Sequence, residues 1–363
     1  MDQFFFSHES ALQYWRVSHY AGIRHAEPSR IRSLRHACTS AEKLREIQTG
    51  HTGLDGQPAH LLSSGTTHRK NPYVIMHYMR GQLPEHSFCQ VSESIFVASP
   101  ELAFLEAAQQ LSTVEAISIG MQYCGSYALP LVQDRNVPEP YIPPYLLGAF
   151  PLGDACDAVT SPPAAPAWSA MQNQAAQCLP LTTYRKLKSY IDSAKGLRGV
   201  AAARRALRWI RPGSESPMET VQYLLTCLPP YLGGDGFRCV GLNVPVAITK
   251  DAANSLGRAT YRPDLILEGP RSRVALDYDG KGTHTSPEAV ARDKMRQSDL
   301  EHLLGYPVLM IPAEQIMHLR QYGRLAKKLS KITGHRLPDK NSELIEKRAR
   351  LRRTLLDPNI HHW

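Results

Sequence analysis

The chain has 363 residues, of which 42% are hydrophobic and 21% charged, and it carries a formal net charge of +9. This composition is typical of a globular protein and excludes a disordered chain, a collagen and a coiled coil. No run of about 18 apolar residues occurs, so we expect no membrane span. The first residues lack the basic and apolar regions of a secretory signal. The seven cysteines form no Cys-x-x-Cys pair, which disfavours a disulfide framework and a thiolate zinc site, so we expect a cytoplasmic protein.

Residues 1–135 are predicted to form a small α+β domain. Its first helix is expected to begin near Ser7 or Ser10, which are plausible N-caps. A second helix is capped by Ser99 and has a proline at its first position, followed by an apolar face. Short strands rich in β-branched and aromatic residues are expected at residues 71–79 and 92–99.

A proline-rich stretch follows this domain. Residues 136–180 are expected to form a connector, because prolines remove backbone donors and favour extended neighbours. Beyond it we expect a domain over residues 181–318 and a basic helical tail over residues 319–363.

The domain after the connector shows a regular order of elements. One or two basic helices are expected over residues 182–210. The next helix, over residues 214–228, has Ser216 as N-cap and Pro217 at its first position. The remaining elements are strands near 237–248, 260–267 and 272–280, a helix over 287–305 and a strand over 306–312. The order α-β-β-β-α-β predicts an α/β (α+β) fold around a small mixed sheet.

Acidic residues interrupt two of these otherwise apolar strands. Asp264 lies in the first, Asp277 and Asp279 lie in the second, and Glu219 lies in the first turns of the preceding helix. Since a strand has a period of two, Asp277, Asp279 and Lys281 project to the same side. Several carboxylates together are costly unless a cation neutralises them, and their oxygens suit Mg²⁺ or Mn²⁺. Alternatively, each acid caps a turn or pairs with a surface Lys or Arg.

Four strings in this region occur in a fixed order: ARRALRWIRPGSESPMET, YRPDLILEG, VALDYDGKGTH and ARDKMRQSDLEHLLGYPVLMI. Together, over about residues 200–315, they resemble DUF559 domains, which look like very-short-patch-repair endonucleases of the PD-(D/E)XK superfamily. The resemblance implies a restriction-endonuclease-like mixed sheet flanked by helices. It also implies that Asp264, Asp277 and Glu219 form the metal site, with Lys281 and His284 as further catalytic residues.

The chain departs from the family pattern at one acidic position. Asp277 stands where the family usually has Glu, so its carboxylate is one methylene shorter. An alternative register uses Asp279 and Lys281 as a literal D-x-K motif, and His284 has an alternative interpretation as a turn residue.

The N-terminal half resembles another family through SHESALQYW, HLLSSGTTHRKNP and FVASPELAFLEAA. These strings are similar to the effector part of AbiE-type antitoxins, which often accompanies a DUF559 domain. The likeness implies a cognate toxin or a defence protein as a partner.

Positive charge is concentrated in two segments. Residues 185–211 hold nine Lys or Arg against one acid, and residues 320–353 hold twelve against three. Such segments attract polyanions, although solvated helix faces have the same composition. The candidate DNA contacts are Arg204, Arg205, Arg208, Lys327, Lys328, Arg352 and Arg353.

The sequence therefore supports three hypotheses. The first is a Mg²⁺- or Mn²⁺-dependent DNA endonuclease in repair, defence or a toxin–antitoxin system. The second is a nuclease-fold DNA- or protein-binding regulator whose catalysis has decayed, which the shorter Asp277 favours. The third is a structural partner within a defence or toxin–antitoxin locus.

Overall fold

The computed structural model describes residues 2–20, 29–40, 42–44, 58–64, 74–79, 82–129, 176–247, 260–279, 287–339 and 341–356. The chain divides into two compact units, the first extending to Ile210 and the second beginning at Arg211. No helix within the described residues is both long enough and apolar enough to cross a membrane.

The first unit is built around a mixed sheet with the strand order β3-β2-β1-β5-β4. Strand β1 pairs in parallel with β5 and antiparallel with β2. The strands are β1 (Phe4–Phe6), β2 (Ala59–Ser63), β3 (Val74–Tyr78), β4 (Phe88–Gln90) and β5 (Ile95–Ala98). The predicted strands at 71–79 and 92–99 correspond to β3 and β5, whereas β1, β2 and β4 were not predicted.

Helices with well-formed caps accompany this sheet. The predicted cap is confirmed, since the Ser99 hydroxyl accepts from the Leu102 N–H at 3.3 Å. An unpredicted helix begins at a capping box made by Ser112 and Glu115. The helices are α1 (His8–Tyr20), α2 (Pro100–Gln110), α3 (Thr113–Tyr123), α4 (Tyr184–Ser193) and α5 (Val200–Leu207), and the short strands are β6 (Tyr127–Ala128) and β7 (Ala176–Gln177).

Helices α4 and α5 are the two basic helices expected over residues 182–210. Both pack against α2 in the first unit, although the sequence placed residues 181–210 in the following domain. Buried apolar side chains on α4 and α5, including Leu187 and Ala203, explain the packing. The division between the units therefore lies after Ile210.

The second unit contains a sheet with the order β13-β12-β11-β8. Strand β12 is parallel to β13 and antiparallel to β11, and β11 is antiparallel to β8. The fully buried side chains of β11 and β12 form the core under the helices. The strands are β8 (Arg238–Leu242), β9 (Val246–Ala247), β10 (Thr260–Tyr261), β11 (Leu265–Glu268), β12 (Arg273–Asp279) and β13 (Val308–Pro312).

The first helix of this unit begins after the predicted N-cap Ser216, whose hydroxyl accepts a hydrogen bond from the Glu219 N–H at 3.2 Å. The Gly305 stop is also confirmed, since its φ of 69° is the left-handed conformation that glycine favours. The helices are α6 (Pro217–Cys227), α7 (Pro287–Leu304), α8 (Ala313–Met317), α9 (Leu319–Thr333) and α10 (Ser342–Leu356). The predicted mixed α+β class is confirmed, with mixed sheets flanked by helices.

Residues 319–356, expected as a separate tail, are part of the second unit. Helix α9 packs on β12 and α10 packs on α6. The buried carboxylate of Asp235 accepts from the Tyr322 hydroxyl at 2.7 Å and also binds the Arg348 guanidinium. One buried acid thus connects both helices to the loop before β8.

Candidate functional site

Asp264 and Asp277 lie opposite each other on neighbouring strands. The register ends with the pair Leu265 and Leu276. One further step places Asp264, the residue just before β11, opposite Asp277, and opposed residues of an antiparallel pair project from the same face. The Asp264 N–H donates to Asp277 Oδ1 at 3.3 Å, and the Tyr278 N–H donates to Asp264 Oδ2 at 2.6 Å. The main chain of each strand therefore fixes the carboxylate of the other.

The second oxygen of Asp277 also has a donor. The hydroxyl of the buried Tyr261 donates to Asp277 Oδ2 at 2.6 Å. Tyr261 packs with Ala275 and Leu300, which holds its ring against the sheet. The role of Tyr261 was not predicted from the sequence. Its position three residues before Asp264 is the local signal that could have placed it near the acids. Asp277 is thus a firmly oriented carboxylate.

Glu219 lies in the first turn of α6 and is 6% exposed. Its Oε2 accepts from the Glu215 N–H at 2.7 Å and from the Asn243 side-chain amide at 2.6 Å. Asn243 adopts a φ of 50° just after β8, and its amide also donates to the Gly213 carbonyl at 2.9 Å. Asn243 therefore fixes the Glu219 carboxylate, and an Asn between a strand and the Val-Pro pair that follows is a signal for such a turn.

The carboxylates perturb one another. Burial, together with the negative charges of Glu219, Asp277 and Glu215, raises the pKa of Asp264 to about 8, although the hydrogen bond from the Tyr278 N–H opposes this rise. Burial also raises the pKa of Glu219, with a contribution from Glu215. Asp264 therefore holds a proton near neutral pH unless a cation offsets its neighbours.

One cation lies beside this cluster. The Arg262 guanidinium forms an ion pair with Glu215, and its Nε donates to the Asn243 carbonyl at 3.1 Å. Arg262 thus neutralises the outermost acid. It was not predicted from the sequence, because its partner lies 47 residues away.

The cluster partly fits a hard divalent cation. Mg²⁺ is commonly held by one or two carboxylates, with water completing the octahedron, and Asp264 and Asp277 supply such a pair. Within the described residues, however, no three His, Cys, Asp or Glu side chains are arranged to hold one metal ion. The metal site predicted from Asp264, Asp277 and Glu219 stays a prediction, and Glu219 Oε2 accepts hydrogen bonds from Asn243 and the Glu215 N–H. Asp279 is half-buried two residues beyond Asp277, whereas Lys281 and His284 lie outside the described residues.

The basic candidates have different environments. Arg204 and Arg205 are exposed on α5 of the first unit, and Arg208 is exposed just after it. Arg204 Nη2 lies 3.9 Å from Asp192 Oδ1. Lys327, Lys328 and Arg353 are exposed in the second unit.

Arg352, predicted as a DNA contact, makes contacts within the protein. Its Nη2 donates to the carbonyls of Ile316 and Met317, each at 2.7 Å, and its guanidinium lies 5.4 Å from the centre of the Tyr322 ring. These hydrogen bonds satisfy the last two carbonyl groups of α8, which have no partner within the helix. Arg352 therefore joins α10 to α8 and α9.

Helix α9 presents a continuous basic face and contains no acidic residue. Its exposed cations recur at helical spacing, whereas its buried side chains face the sheet. The cations are Arg320, Arg324, Lys327, Lys328 and Lys331. We call this face the α9 basic stripe.

The first unit has a different polar cluster. The rings of His8 and His77 stack with their centres 3.5 Å apart, and His77 Nε2 lies 3.1 Å from His60 Nδ1. The His8 N–H donates to Glu106 at 2.8 Å. Burial lowers the pKa of His8 to about 3 and of His77 to about 4, and it raises the pKa of Glu106 to about 8. This cluster is neutral at pH 7.

Comparisons with family models, with curated proteins and with solved structures found no match to this chain. The likeness to DUF559 domains and to AbiE-type antitoxins stays a prediction from the sequence.

Proposed function

We propose that the second unit is a metal-dependent DNA endonuclease that hydrolyses phosphodiester bonds at the Asp264–Asp277 pair. The observation that supports this most is the opposed carboxylate pair beside Glu219, in which the pKa of Asp264 is raised to about 8. Such a group of acids costs free energy that a bound cation would offset. The same residues carry the resemblance to DUF559 domains.

A restriction-endonuclease-like arrangement is part of the proposal. The order α6-β8-β11-β12-α7-β13 agrees with the expected α-β-β-β-α-β order, and the sheet has helices packed against it. In this arrangement the acids lie where β11 begins and β12 ends, which brings them to one end of the strand pair. A substrate phosphate would reach them there.

Each acid then has its own task. Asp264 and Asp277 would hold Mg²⁺ or Mn²⁺, and Glu219 would orient a water molecule beside them. A cation bound there acidifies the attacking water and stabilises charge on the phosphate. Tyr261 and Asn243 position the carboxylates of Asp277 and Glu219. Lys281 or His284 would orient the water or shield the leaving group.

The α9 basic stripe supports DNA as the substrate. Its five cations are exposed on one helix face that has no acid to neutralise it. Contacts of this kind bind the phosphate backbone independently of sequence and weaken with salt. We therefore expect binding with little sequence preference.

A second candidate function is a nuclease-fold binding module without catalysis. It is favoured by the bonds of Asp277, since both of its oxygens already accept hydrogen bonds within the protein. A carboxylate satisfied in this way has less need of a metal ion. The module would bind DNA through the α9 basic stripe and leave it intact.

Cleavage assays distinguish these functions. The full chain should cut at least one of duplex, mismatched, nicked or single-stranded DNA with Mg²⁺ or Mn²⁺, and chelator should stop the reaction. Asp264→Asn keeps the volume but removes the charge, so it should abolish cleavage and spare binding. Glu268→Gln is a matched control, because Glu268 lies at the other end of β11 and pairs with Arg238 and Arg273.

The outcomes have distinct meanings. Loss of cleavage in Asp264→Asn with full cleavage in Glu268→Gln supports the enzyme. DNA binding without cleavage of any substrate by the wild type supports the binding module. Equal cleavage by all three proteins overturns the assignment of the site.

A further inference from the structure

His60 and His77 lie next to each other at the edge of the first unit's sheet. Strand β3 is the outermost strand of the described sheet, and it pairs in parallel with β2 so that His77 lies opposite Leu62. Because side chains alternate along a strand, His60 and Leu62 project from one face, and His77 projects from the same face. Both imidazoles are half-buried, so a small ion can reach them from solvent.

The separation of their nitrogen atoms matches that of two ligands of one metal ion. His77 Nε2 lies 3.1 Å from His60 Nδ1, and the two ring planes are inclined by 32°. Two imidazole nitrogens that each lie about 2.05 Å from one Zn²⁺ ion, at an octahedral or a tetrahedral angle, are about 2.9–3.3 Å apart. The observed distance therefore needs little change when an ion binds.

The segment that begins α1 holds both residues in place. The ring of His77 stacks on that of His8 with the planes within 10° of each other, and His8 Nδ1 lies 3.0 Å from Ser7 Oγ. His8 has a φ of 50°, which a non-glycine residue keeps only where its surroundings hold it firmly. The His60 N–H donates to Ser10 Oγ at 2.9 Å, and its carbonyl accepts from the Ser7 N–H at 3.0 Å. The two imidazoles are thus supported by ordered elements, as a preorganised site requires.

The imidazoles are also in the protonation state that binds metal ions. Burial lowers the pKa of His77 to about 4, with a contribution from His60, and burial lowers the pKa of His60 as well. Metal ions bind the neutral imidazole. Protons therefore compete little for these two nitrogens at pH 7.

We propose that His60 Nδ1 and His77 Nε2 bind one Zn²⁺ ion at the edge of the first unit. Imidazole is a ligand that suits Zn²⁺, whereas Mg²⁺ prefers oxygen. The ion takes the place of the proton that the two rings share, and this proton moves to the second nitrogen of the ring that donated it. Each ring thus stays neutral, and no proton has to leave the protein.

Water completes the coordination of the ion. The ring of His8 is stacked in a plane nearly parallel to that of His77, so its nitrogens do not point at the same ion. This agrees with the finding that no group of three His, Cys, Asp or Glu within the described residues could hold a metal ion. Two protein ligands leave positions open for water or for an anion. The inference stands on the histidines and is independent of the proposed nuclease activity.

Equilibrium dialysis of the full chain against Zn²⁺ tests the proposal. His77→Phe keeps an aromatic ring to stack on His8 but removes the ligand nitrogen. We expect the wild type to bind one more Zn²⁺ ion per chain than His77→Phe at the same free Zn²⁺ concentration. His36→Ala replaces an exposed histidine of the same unit and should bind as much Zn²⁺ as the wild type. Equal binding by the wild type and His77→Phe would overturn the proposal.

Chemical modification of the wild type makes the same test without a variant. Diethylpyrocarbonate acylates imidazole nitrogens, and peptide mapping gives the rate of modification at each histidine. Zn²⁺ at about ten times its dissociation constant should slow the modification of His60 and His77 about tenfold, because it leaves few of the sites free. The rate at His36 should not change. Equal slowing at His36, or unchanged rates at His60 and His77, would show that the pair is not a Zn²⁺ site.

Discussion

The two units each bury an acid with a pKa near 8, but for different reasons. Glu106 of the first unit is 1% exposed, and burial alone raises its pKa, opposed only by the His8 N–H. Asp264 of the second unit is half-buried, and the charges of Glu219 and Asp277 add to the effect of burial. A pKa raised to about 8 thus has burial as its cause in the first unit, whereas in the second unit repulsion between carboxylates adds to burial.

This difference separates a structural acid from a candidate binding site. Protonation removes the charge that burial disfavours at Glu106, and no other carboxylate is among the causes of its raised pKa. At Asp264, protonation relieves only one member of the cluster, whereas a divalent cation relieves all of them together. A shifted pKa therefore points to a ligand only when its causes include like charges.

The largest effect should come from adding Mg²⁺. At about 100 times its dissociation constant, a ligand of the native state alone raises the free energy of unfolding by about 2.7 kcal/mol. We expect this gain in the wild type and in Glu106→Gln and its absence in Asp264→Asn. Peptide-resolved hydrogen exchange of residues 211–360 in urea measures it.

Two results would break the comparison. If Mg²⁺ leaves the wild type unchanged, the carboxylate pair is structural like Glu106. If Glu106→Gln also shows no gain, the first unit takes part in metal binding.

The second prediction concerns pH and the first unit. Glu106 has a pKa of about 8 when folded and about 4.5 when unfolded, so its contribution to stability is lost as pH rises between these values. His8 and His77, with lowered pKa values, are neutral in the folded state, and the protons that they lose in the unfolded state near pH 6.5 affect the wild type and Glu106→Gln alike. Between about pH 6.5 and 8 the wild type should therefore lose about 2 kcal/mol relative to Glu106→Gln.

Tryptophan fluorescence during urea unfolding measures this loss, because residues 211–360 contain no tryptophan. Asp264→Asn, which changes only the second unit, serves as the control and should follow the wild type. Parallel curves for Glu106→Gln and the wild type would show that the Glu106 proton is not retained.

A smaller effect is expected at Tyr261, which supports only the second cluster. Tyr261→Phe removes the donor to Asp277 Oδ2 and should cost about 1–3 kcal/mol in unfolding free energy, since the acceptor is charged. It should also weaken Mg²⁺ binding by about tenfold, as loss of an orienting partner does. Tyr278→Phe is the matched control, because Tyr278 binds Asp264 through its backbone N–H, which the substitution keeps. Equal effects of both changes on Mg²⁺ would contradict a positioning role for Tyr261.

Some of the features that distinguish the two units could be predicted from short stretches of sequence. Acids in two successive apolar strands, together with the resemblance, predicted that Asp264 and Asp277 belong to one site, whereas the antiparallel register that sets them opposite each other came only from the structure. The caps at Ser99 and Ser216 were predicted from local sequence alone, because an N-cap acts within one turn of its helix.

The features that the sequence did not predict depend on contacts between segments that are far apart along the chain. The three phenylalanines of β1 gave no alternation of polar and apolar residues, and their strand is defined only by pairing with β2 and β5. Arg352 has the composition of a surface cation, but its carbonyl partners lie 35 and 36 residues earlier. Glu106 gave no signal at all, because its isolation depends on burial between elements that the sequence did not connect.

The smallest effect on stability should come from the α9 basic stripe. Replacing Lys327 and Lys328 by Ala should change the free energy of unfolding by no more than about 0.5 kcal/mol, since both side chains are exposed. The slope of log affinity against log salt for duplex DNA should become shallower by about 0.9 for each phosphate that is no longer neutralised. Arg352→Ala should lower the free energy of unfolding and leave the salt slope unchanged, because the Arg352 guanidinium binds carbonyls of the protein.

The double substitution of Arg204 and Arg205 by Ala tests the salt slope in the same way on the first unit. If that pair flattens the slope as much as the α9 pair, DNA is not bound by the second unit alone, and the contrast between the units applies only to the buried acids.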